Sequence, residues 1–116
     1  MRDFKQLKVW QKAHHLVLNV YRHTRDFPQD ERFGLTAHLL KSAASVPSNI
    51  AEGCGREGDK ELARFLSIAA GSASETEYQL ILARDLGYLG PEHHQELDTQ
   101  VNEVKRMLNA FIQRLT

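Results

Sequence analysis

Apolar residues recur every three or four positions along most of this chain, which is the spacing of helices that bury one face. The first segment with this spacing covers residues 7–25, and the second covers residues 30–52. The third covers residues 59–86, and the fourth opens with Pro91 and Glu92, which suit a first helical turn. The pattern therefore predicts four amphipathic helices.

No segment alternates with a period of two, so no strand is predicted. Four amphipathic helices joined by short connections predict an all-α fold, an up-and-down four-helix bundle that forms a single domain over residues 1–116. The predicted core comprises Trp10, Val17, Leu39, Ile50, Phe65, Leu66, Leu80, Leu108 and Phe111.

The stretch ASVPSNIAEG places Pro47 inside the second helical segment. An interior proline removes one hydrogen bond and clashes with the carbonyl four residues earlier, here that of Ala43, at a cost of about 3 kcal/mol. The helix either ends at Val46 or continues with a kink, and the apolar spacing, which reaches Ile50, favours a proline-kinked second helix. The freed carbonyl would need another donor, and the nearby hydroxyls belong to Ser42, Ser45 and Ser48.

Charge and cysteine content point to a cytoplasmic protein with no membrane partner. The 15 basic and 15 acidic residues cancel, which gives no general attraction to nucleic acid or acidic membranes. No stretch approaches the ~18 apolar residues of a membrane span, and the start lacks a signal-peptide core. A single cysteine, Cys54, excludes an internal disulfide, and we expect it in a loop because Gly53 and Gly55 would end the second helix.

The stretches FKQLKVWQKAHHLVLNVYRHT, SVPSNIAEGCGR and FLSIAAGSASETEYQLILARDLGYL occur in an order and at a spacing that resemble one bacterial family. It is the four-helix-bundle family first met as reading frames in intervening sequences of 23S rRNA genes. The resemblance implies an up-and-down bundle, a kink at Pro47 and assembly as a cyclic pentamer. A related branch serves diversity-generating retroelements as accessory proteins that bind nucleic acid through a basic surface. Leu40 stands where the family usually has a basic residue, which weakens the inference that this chain binds nucleic acid as those relatives do.

One basic stripe is a candidate nucleic-acid surface. Residues at steps of 3, 4, 3, 4 and 3 share one face of the first helix: Lys5, Lys8, Lys12, His15, Asn19 and Arg22. Lys41 and Arg56 would add to it. The alternative is an ordinary solvated bundle face, since charged stripes are common on helices.

The third helix carries a run of small residues, AAGSAS at 69–74, with Gly71 in its middle. The run allows close approach either of a helix in the same bundle or of another subunit. Polar residues near Pro47 and on the third helix predict a polar contact between the second and third helices, made by Asn49, Glu52 and Glu75.

No enzyme or cofactor chemistry is predicted. The six histidines include no Glu-x-x-His or His-x-x-x-His spacing, which a helical metal site would need, and we expect His93 and His94 to be exposed. The stretch GCGREG lacks the Gly-Lys-Ser/Thr of a phosphate-binding loop, and no Ser/His/Asp order stands out.

Large apolar residues exceed what one bundle seam requires, and helices one and three each show two apolar faces. The large apolar residues in question are Trp10, Leu16, Leu18, Tyr21, Phe33, Phe65, Ile68, Tyr78, Leu82 and Tyr88. A second apolar face normally packs against a partner. The sequence therefore predicts a non-enzymatic interaction or scaffold protein that self-assembles, with RNA or DNA binding through the basic stripe as the alternative and a protein partner still unidentified. The number five comes only from the resemblance.

Overall fold

The computed structural model describes residues 2–116, and four long helices account for most of them. They are α1 (Lys8–Thr24), α2 (Leu35–Cys54), α3 (Asp59–Asp85) and α4 (Pro91–Leu115). Single 3-10 turns at Phe4–Gln6 and Gln29–Glu31 precede α1 and α2. The predicted all-α fold is confirmed.

The helices form a ring of four neighbours. α1 packs against α2 and α4, and α3 packs against the same two helices, whereas the backbones of α1 and α3 are not adjacent within the described chain. Short connections make chain neighbours antiparallel, so this is the predicted up-and-down bundle, 43 Å long. α1 and α3 therefore occupy diagonal corners and present their outward faces to opposite sides of the molecule.

Eight of the nine predicted core residues are buried in the bundle, and Trp10 is the exception. Trp10 lies at the edge of the core and is partly buried. Its ring stacks on His14 at a centroid distance of 5.2 Å and meets Phe4 edge-on at 5.0 Å. Val9 and Leu16 fill the interior positions instead, because the buried stripe of α1 is centred on their side of the helix.

α2 begins at Leu35, five residues later than predicted, because the preceding turn caps it. The Glu31 side chain accepts a hydrogen bond from the Leu35 backbone N–H at 3.2 Å. Its other oxygen accepts one from the Tyr88 hydroxyl at 3.0 Å, which raises the pKa of Tyr88. Glu31 thereby ties the start of α2 to the connection after α3.

α2 is continuous through Pro47 to Cys54, so the prediction that the helix does not break there is confirmed. The serine hydroxyls do not serve the Ala43 carbonyl, contrary to expectation. Ser42 contacts the Leu39 carbonyl and Gln79, while Ser45 contacts Ser72. These hydroxyls join α2 to α3 because their positions face that helix.

Cys54 lies in the last turn of α2 and is buried, so its prediction as a loop residue was wrong. Burial raises the pKa of its thiol, which disfavours the reactive thiolate. Gly53 also lies inside the helix, where an added Cβ would stand 2.9 Å from the Phe65 Cβ. The missing Cβ at Gly53 lets α2 and α3 approach closely. The chain turns after the helix, over residues 55–58, where Gly58 has a φ of 84° that suits glycine.

Candidate interaction surfaces

α3 carries a second, outward row of residues besides its buried stripe. The α3 outer face comprises exposed residues at steps of 4, 3, 4 and 3: Arg64, Ile68, Gly71, Glu75 and Tyr78. Ile68 is 41% exposed and Tyr78 is 60% exposed. Such spacing is that of a helix seam that meets another helix, but here the row faces away from the bundle.

Gly71 stands at the centre of the α3 outer face. An added Cβ would meet no atom within 4 Å, so packing inside the bundle does not require glycine there. Its neighbours Ala69 and Ala73 are fully buried. Different residues of the small-residue run therefore have different roles. The alanines pack inside the bundle, and Gly71 faces outward, where it costs about 1 kcal/mol of helix stability relative to alanine.

The polar contact between α2 and α3 exists, but other residues make it. Thr76 donates to the Ser42 hydroxyl at 2.9 Å, and the Ser42 hydroxyl donates to the Gln79 side-chain oxygen Oε1 at 2.6 Å. These three side chains are buried among apolar residues. Full pairing of buried polar groups specifies how two helices align, so this network fixes the register of α2 against α3. Sequence reasoning missed it because its members lie within apolar stripes.

The residues predicted for that contact lie elsewhere. Asn49 donates to the Ser45 carbonyl at 2.8 Å and to its hydroxyl at 2.9 Å, both within α2. Glu52 pairs with Arg56 one turn later. Glu75 is exposed on the α3 outer face. Asn49 therefore supports the α2–α3 contact only through Ser45, and the other two make none.

α1 also carries apolar residues outward. The α1 outer face comprises residues at steps of 3, 4, 3 and 4: Gln11, His14, Leu18, Tyr21 and Arg25. Leu18 is 48% exposed and Tyr21 is 49% exposed. Because α1 and α3 are diagonal, the two outer faces look in opposite directions.

α4 differs from both. Its outward row has steps of 4, 3, 4, 3 and 4, and this α4 outer face is polar throughout: Gln95, Thr99, Asn102, Arg106, Asn109 and Gln113. None of the exposed large apolar residues in 2–116 lies on α2 or α4.

The basic stripe is partly neutralised by carboxylates. Lys5 lies in the 3-10 turn before α1, 3.7 Å from Asp3. Lys12 pairs with Glu103 of α4 at 3.4 Å. Arg56 pairs with Glu52 at 3.1 Å.

The middle of the stripe points toward α4. Asn19 is buried and its side-chain amide donates to the Gln100 side chain at 2.9 Å, while Arg22 donates to the Asn19 side-chain oxygen Oδ1 at 2.6 Å. Lys8, His15 and Lys41 are exposed and lie in none of the ion pairs formed by residues 2–116. The structure thus spreads these groups over several surfaces.

The histidines near the start of α4 are not both exposed. His94 is buried, so that prediction was wrong, and its ring closes the bundle because it lies on the same stripe as Leu97. His23 lies 4.5 Å from His93 between ring centroids and 3.3 Å from a Glu96 oxygen. Within residues 2–116, no three His, Cys, Asp or Glu side chains are grouped to hold a metal ion.

No helix in the described part of the chain combines the length and apolar content needed to cross a bilayer.

A family model described as 23S rRNA-intervening sequence protein matches residues 5–110. A crystal structure of a protein of unknown function from Bacteroides thetaiotaomicron, assigned to the S23 ribosomal protein family, superimposes with a TM-score of 0.83. It is 23% identical, and the match covers 90% of this chain and 95% of that chain. The likeness extends over the whole bundle and concerns the fold. No curated protein matches this chain.

Proposed function

This chain belongs to the 23S rRNA-intervening sequence protein family, and we propose that it acts in the bacterial cytoplasm as a non-enzymatic module that assembles with further copies of itself. The supporting observation is that exposed large apolar side chains within the helices lie on the α1 and α3 outer faces and not on α2 or α4; Phe33 and Leu86, which are also exposed, lie in the connections. Exposed apolar patches on a monomer mark interaction sites.

The occupant of these faces is proposed to be a second copy because the two faces differ and lie on opposite sides of the bundle. The α1 outer face of one copy would pack on the α3 outer face of the next. A contact between two different surfaces is head-to-tail, and it closes into a ring when the rotation allows. Five subunits is the number that the family resemblance implies.

Gly71 supports the same contact from the backbone side. A glycine in a helix interior is unfavourable, and internal packing does not require it here. In a contact between helices it removes the Cβ that would hold two backbones apart. Ile68 and Tyr78, one turn before it and two turns after it, would then pack on either side of the closest approach.

Light scattering on a size-exclusion column tests the proposal. We expect a mass of about five times the 13.2 kDa chain, retained at high salt because apolar contacts are not screened. A single-chain mass at every concentration and salt would refute self-assembly.

Nucleic-acid binding is the second candidate, supported by Lys8, His15 and Lys41, which are exposed and outside the ion pairs described above. Binding through phosphates would fall steeply with salt. We expect the double substitution Lys8→Glu and Lys12→Glu to abolish binding of total bacterial RNA at low salt. RNA binding that survives this change would exclude the stripe.

A further inference from the structure

One end of the bundle holds a cleft of about 400 Å³ between the start of α1 and the end of α4. This size falls in the range of about 300–1,000 Å³ that is typical of small-molecule sites. Its apolar lining comes from Leu7, Val9, Met107, Phe111 and Leu115. The end cleft, as defined by these residues, shares no residue with the α1 or α3 outer faces.

The rim of the end cleft is cationic. Arg2, Lys8 and Arg114 line it, and Asp59 is its only carboxylate among the described residues. Asp59 contacts Arg2 at 3.7 Å, a long and exposed pair, while Lys8 and Arg114 lie in none of the ion pairs of residues 2–116. The cleft therefore has more positive than negative charge within its own walls.

Two guanidinium groups lie beside the apolar lining. The Arg2 and Arg114 guanidinium carbons lie 5.5 and 5.3 Å from the centroid of the Phe111 ring. A guanidinium held against an aromatic ring keeps its N–H groups available at its edge, where a carboxylate can accept two hydrogen bonds. An anionic head can thus bind directly next to an apolar surface.

The start of α1 adds to this preference. α1 begins at Lys8, and its first turn has no acidic residue and no side-chain cap. An N-terminus favours negative charge, and Arg114 in the last turn of α4 offsets the opposite tendency of that helix end. The other two nearby ends are already partnered, because the first turn of α3 carries Asp59 and Glu61 and the Cys54 carbonyl at the end of α2 accepts a hydrogen bond from the Arg2 backbone N–H.

We infer that the end cleft binds a free amphipathic organic anion, with a carboxylate on Arg114 and Arg2 and an alkyl chain on the apolar lining. The anion is recognised by two features together. The charge selects carboxylates over alcohols or amines, and the lining selects chains long enough to displace water from Met107 and Phe111.

Met107 gives a local readout, because the chain has only two methionines. Protein labelled with ¹³C at the methionine methyl groups is titrated with sodium decanoate, decanol and decyltrimethylammonium, and Met107→Leu assigns the resonance. We expect a saturable shift of the Met107 methyl with decanoate and a response at least about tenfold weaker with the other two. Equal responses, or none, would overturn the inference.

Two matched pairs of variants distinguish decanoate binding in the end cleft from decanoate binding elsewhere on the protein. Arg114→Gln should weaken decanoate binding about tenfold, whereas Arg106→Gln, on the α4 outer face, should leave it unchanged. Ala110 is exposed in the cleft wall, so Ala110→Trp should block binding without unfolding the protein, and Asn109→Trp, one residue away, should not. Equal effects within either pair would overturn the assignment.

Two further measurements test for other occupants of the end cleft. If the Met107 methyl shifts on raising protein concentration without decanoate, the cleft is a contact between copies and the inference fails. If phosphatidylglycerol vesicles shift it and free decanoate does not, the cleft recognises a lipid surface, which also overturns the inference.

Discussion

α3 and α4 are helices of similar length, 27 and 25 residues, and they differ on the side that faces away from the core. Both bury a regular apolar stripe. The α4 outer face is polar throughout, as a solvated helix should be, whereas the α3 outer face carries Ile68, Gly71 and Tyr78. The inner faces of both helices contribute to the bundle core in the same way, so the proposed contact between copies rests on the difference between the outer faces.

The largest expected effects are on the inner faces, where the two helices should behave alike. Leu66 of α3 and Leu108 of α4 are fully buried. Truncating either to alanine leaves a cavity, and we expect Leu66→Ala and Leu108→Ala each to lower the free energy of unfolding by about 2–5 kcal/mol. Urea unfolding at fixed protein concentration measures this. A loss below about 1 kcal/mol at either position would contradict the burial described here.

Charges on the outer faces should separate the two helices. Ile68→Glu with Tyr78→Glu on α3 would bury unpaired carboxylates in the proposed contact, and we expect association to weaken at least about 100-fold, or about 2.7 kcal/mol. Thr99→Glu with Asn109→Glu on α4 places the same charges at the same spacing of ten residues. Light scattering should show a single-chain mass for the α3 pair only.

If both pairs dissociate the particle, net charge and not the α3 outer face controls assembly. If neither does, the proposed contact is wrong.

Gly71→Ala should act in opposite directions on the subunit and on the assembly. In the Ile68→Glu/Tyr78→Glu background, the alanine should stabilise the isolated bundle by up to about 1 kcal/mol, because helix propensity rises and the added Cβ meets no atom within 4 Å. In the otherwise native chain, it should weaken association. Thermal unfolding measures the first effect, and dilution followed by light scattering measures the second. Association that is unchanged or stronger would rule out close backbone approach at Gly71.

The smallest effect concerns the ion pair that joins α3 to α4. Lys105 donates to Glu77 at 2.7 Å, and this hydrogen bond lowers the pKa of Glu77, with burial acting in the opposite direction. We expect Glu77→Gln to cost about 0.2–1 kcal/mol at pH 7, as partly exposed ion pairs do. Glu75→Gln on the α3 outer face, which removes an exposed carboxylate, should cost nothing in the isolated subunit.

The pH dependence follows from the sign of that shift. A carboxyl group with a lowered pKa stabilises the folded state above its unfolded pKa of about 4.3, and this contribution is lost as the pH falls through the folded pKa. The difference between the native protein and Glu77→Gln should therefore be largest near neutral pH and shrink below about pH 4. A difference that grows on acidification would contradict the pairing.

The candidate surfaces were predicted in part. Apolar residues on the second faces of α1 and α3 indicated an interaction surface, and Leu18, Tyr21, Ile68 and Tyr78 are indeed exposed. The same prediction included Leu16 and Phe65, which are buried. Periodicity shows that a helix has two apolar faces. It does not fix how the helix is rotated in the bundle, so a residue at the border of the two faces can be assigned to the wrong one.

The basic stripe and the polar contact were predicted less well. Equal spacing placed Lys5 on α1, yet it lies in the preceding turn, and Asn19 turned inward because Gln100 offers it a partner. The α2–α3 contact uses Ser42, Thr76 and Gln79. Such pairings join residues distant in sequence, and spacing along one helix carries no information about the helix beside it.

By itself the sequence determined the number of helices, their buried stripes and the bundle, because a 3.6-residue period is a local property that each segment expresses alone. It also favoured continuation of α2 past Pro47, because apolar positions follow the proline. Only the tertiary structure decided that Tyr88 donates a hydrogen bond to Glu31, that Gly53 allows close approach of α3, and that Arg2, Lys8 and Arg114 meet at one cleft. Each of these depends on which segments become neighbours, and that is settled when the stripes pack together.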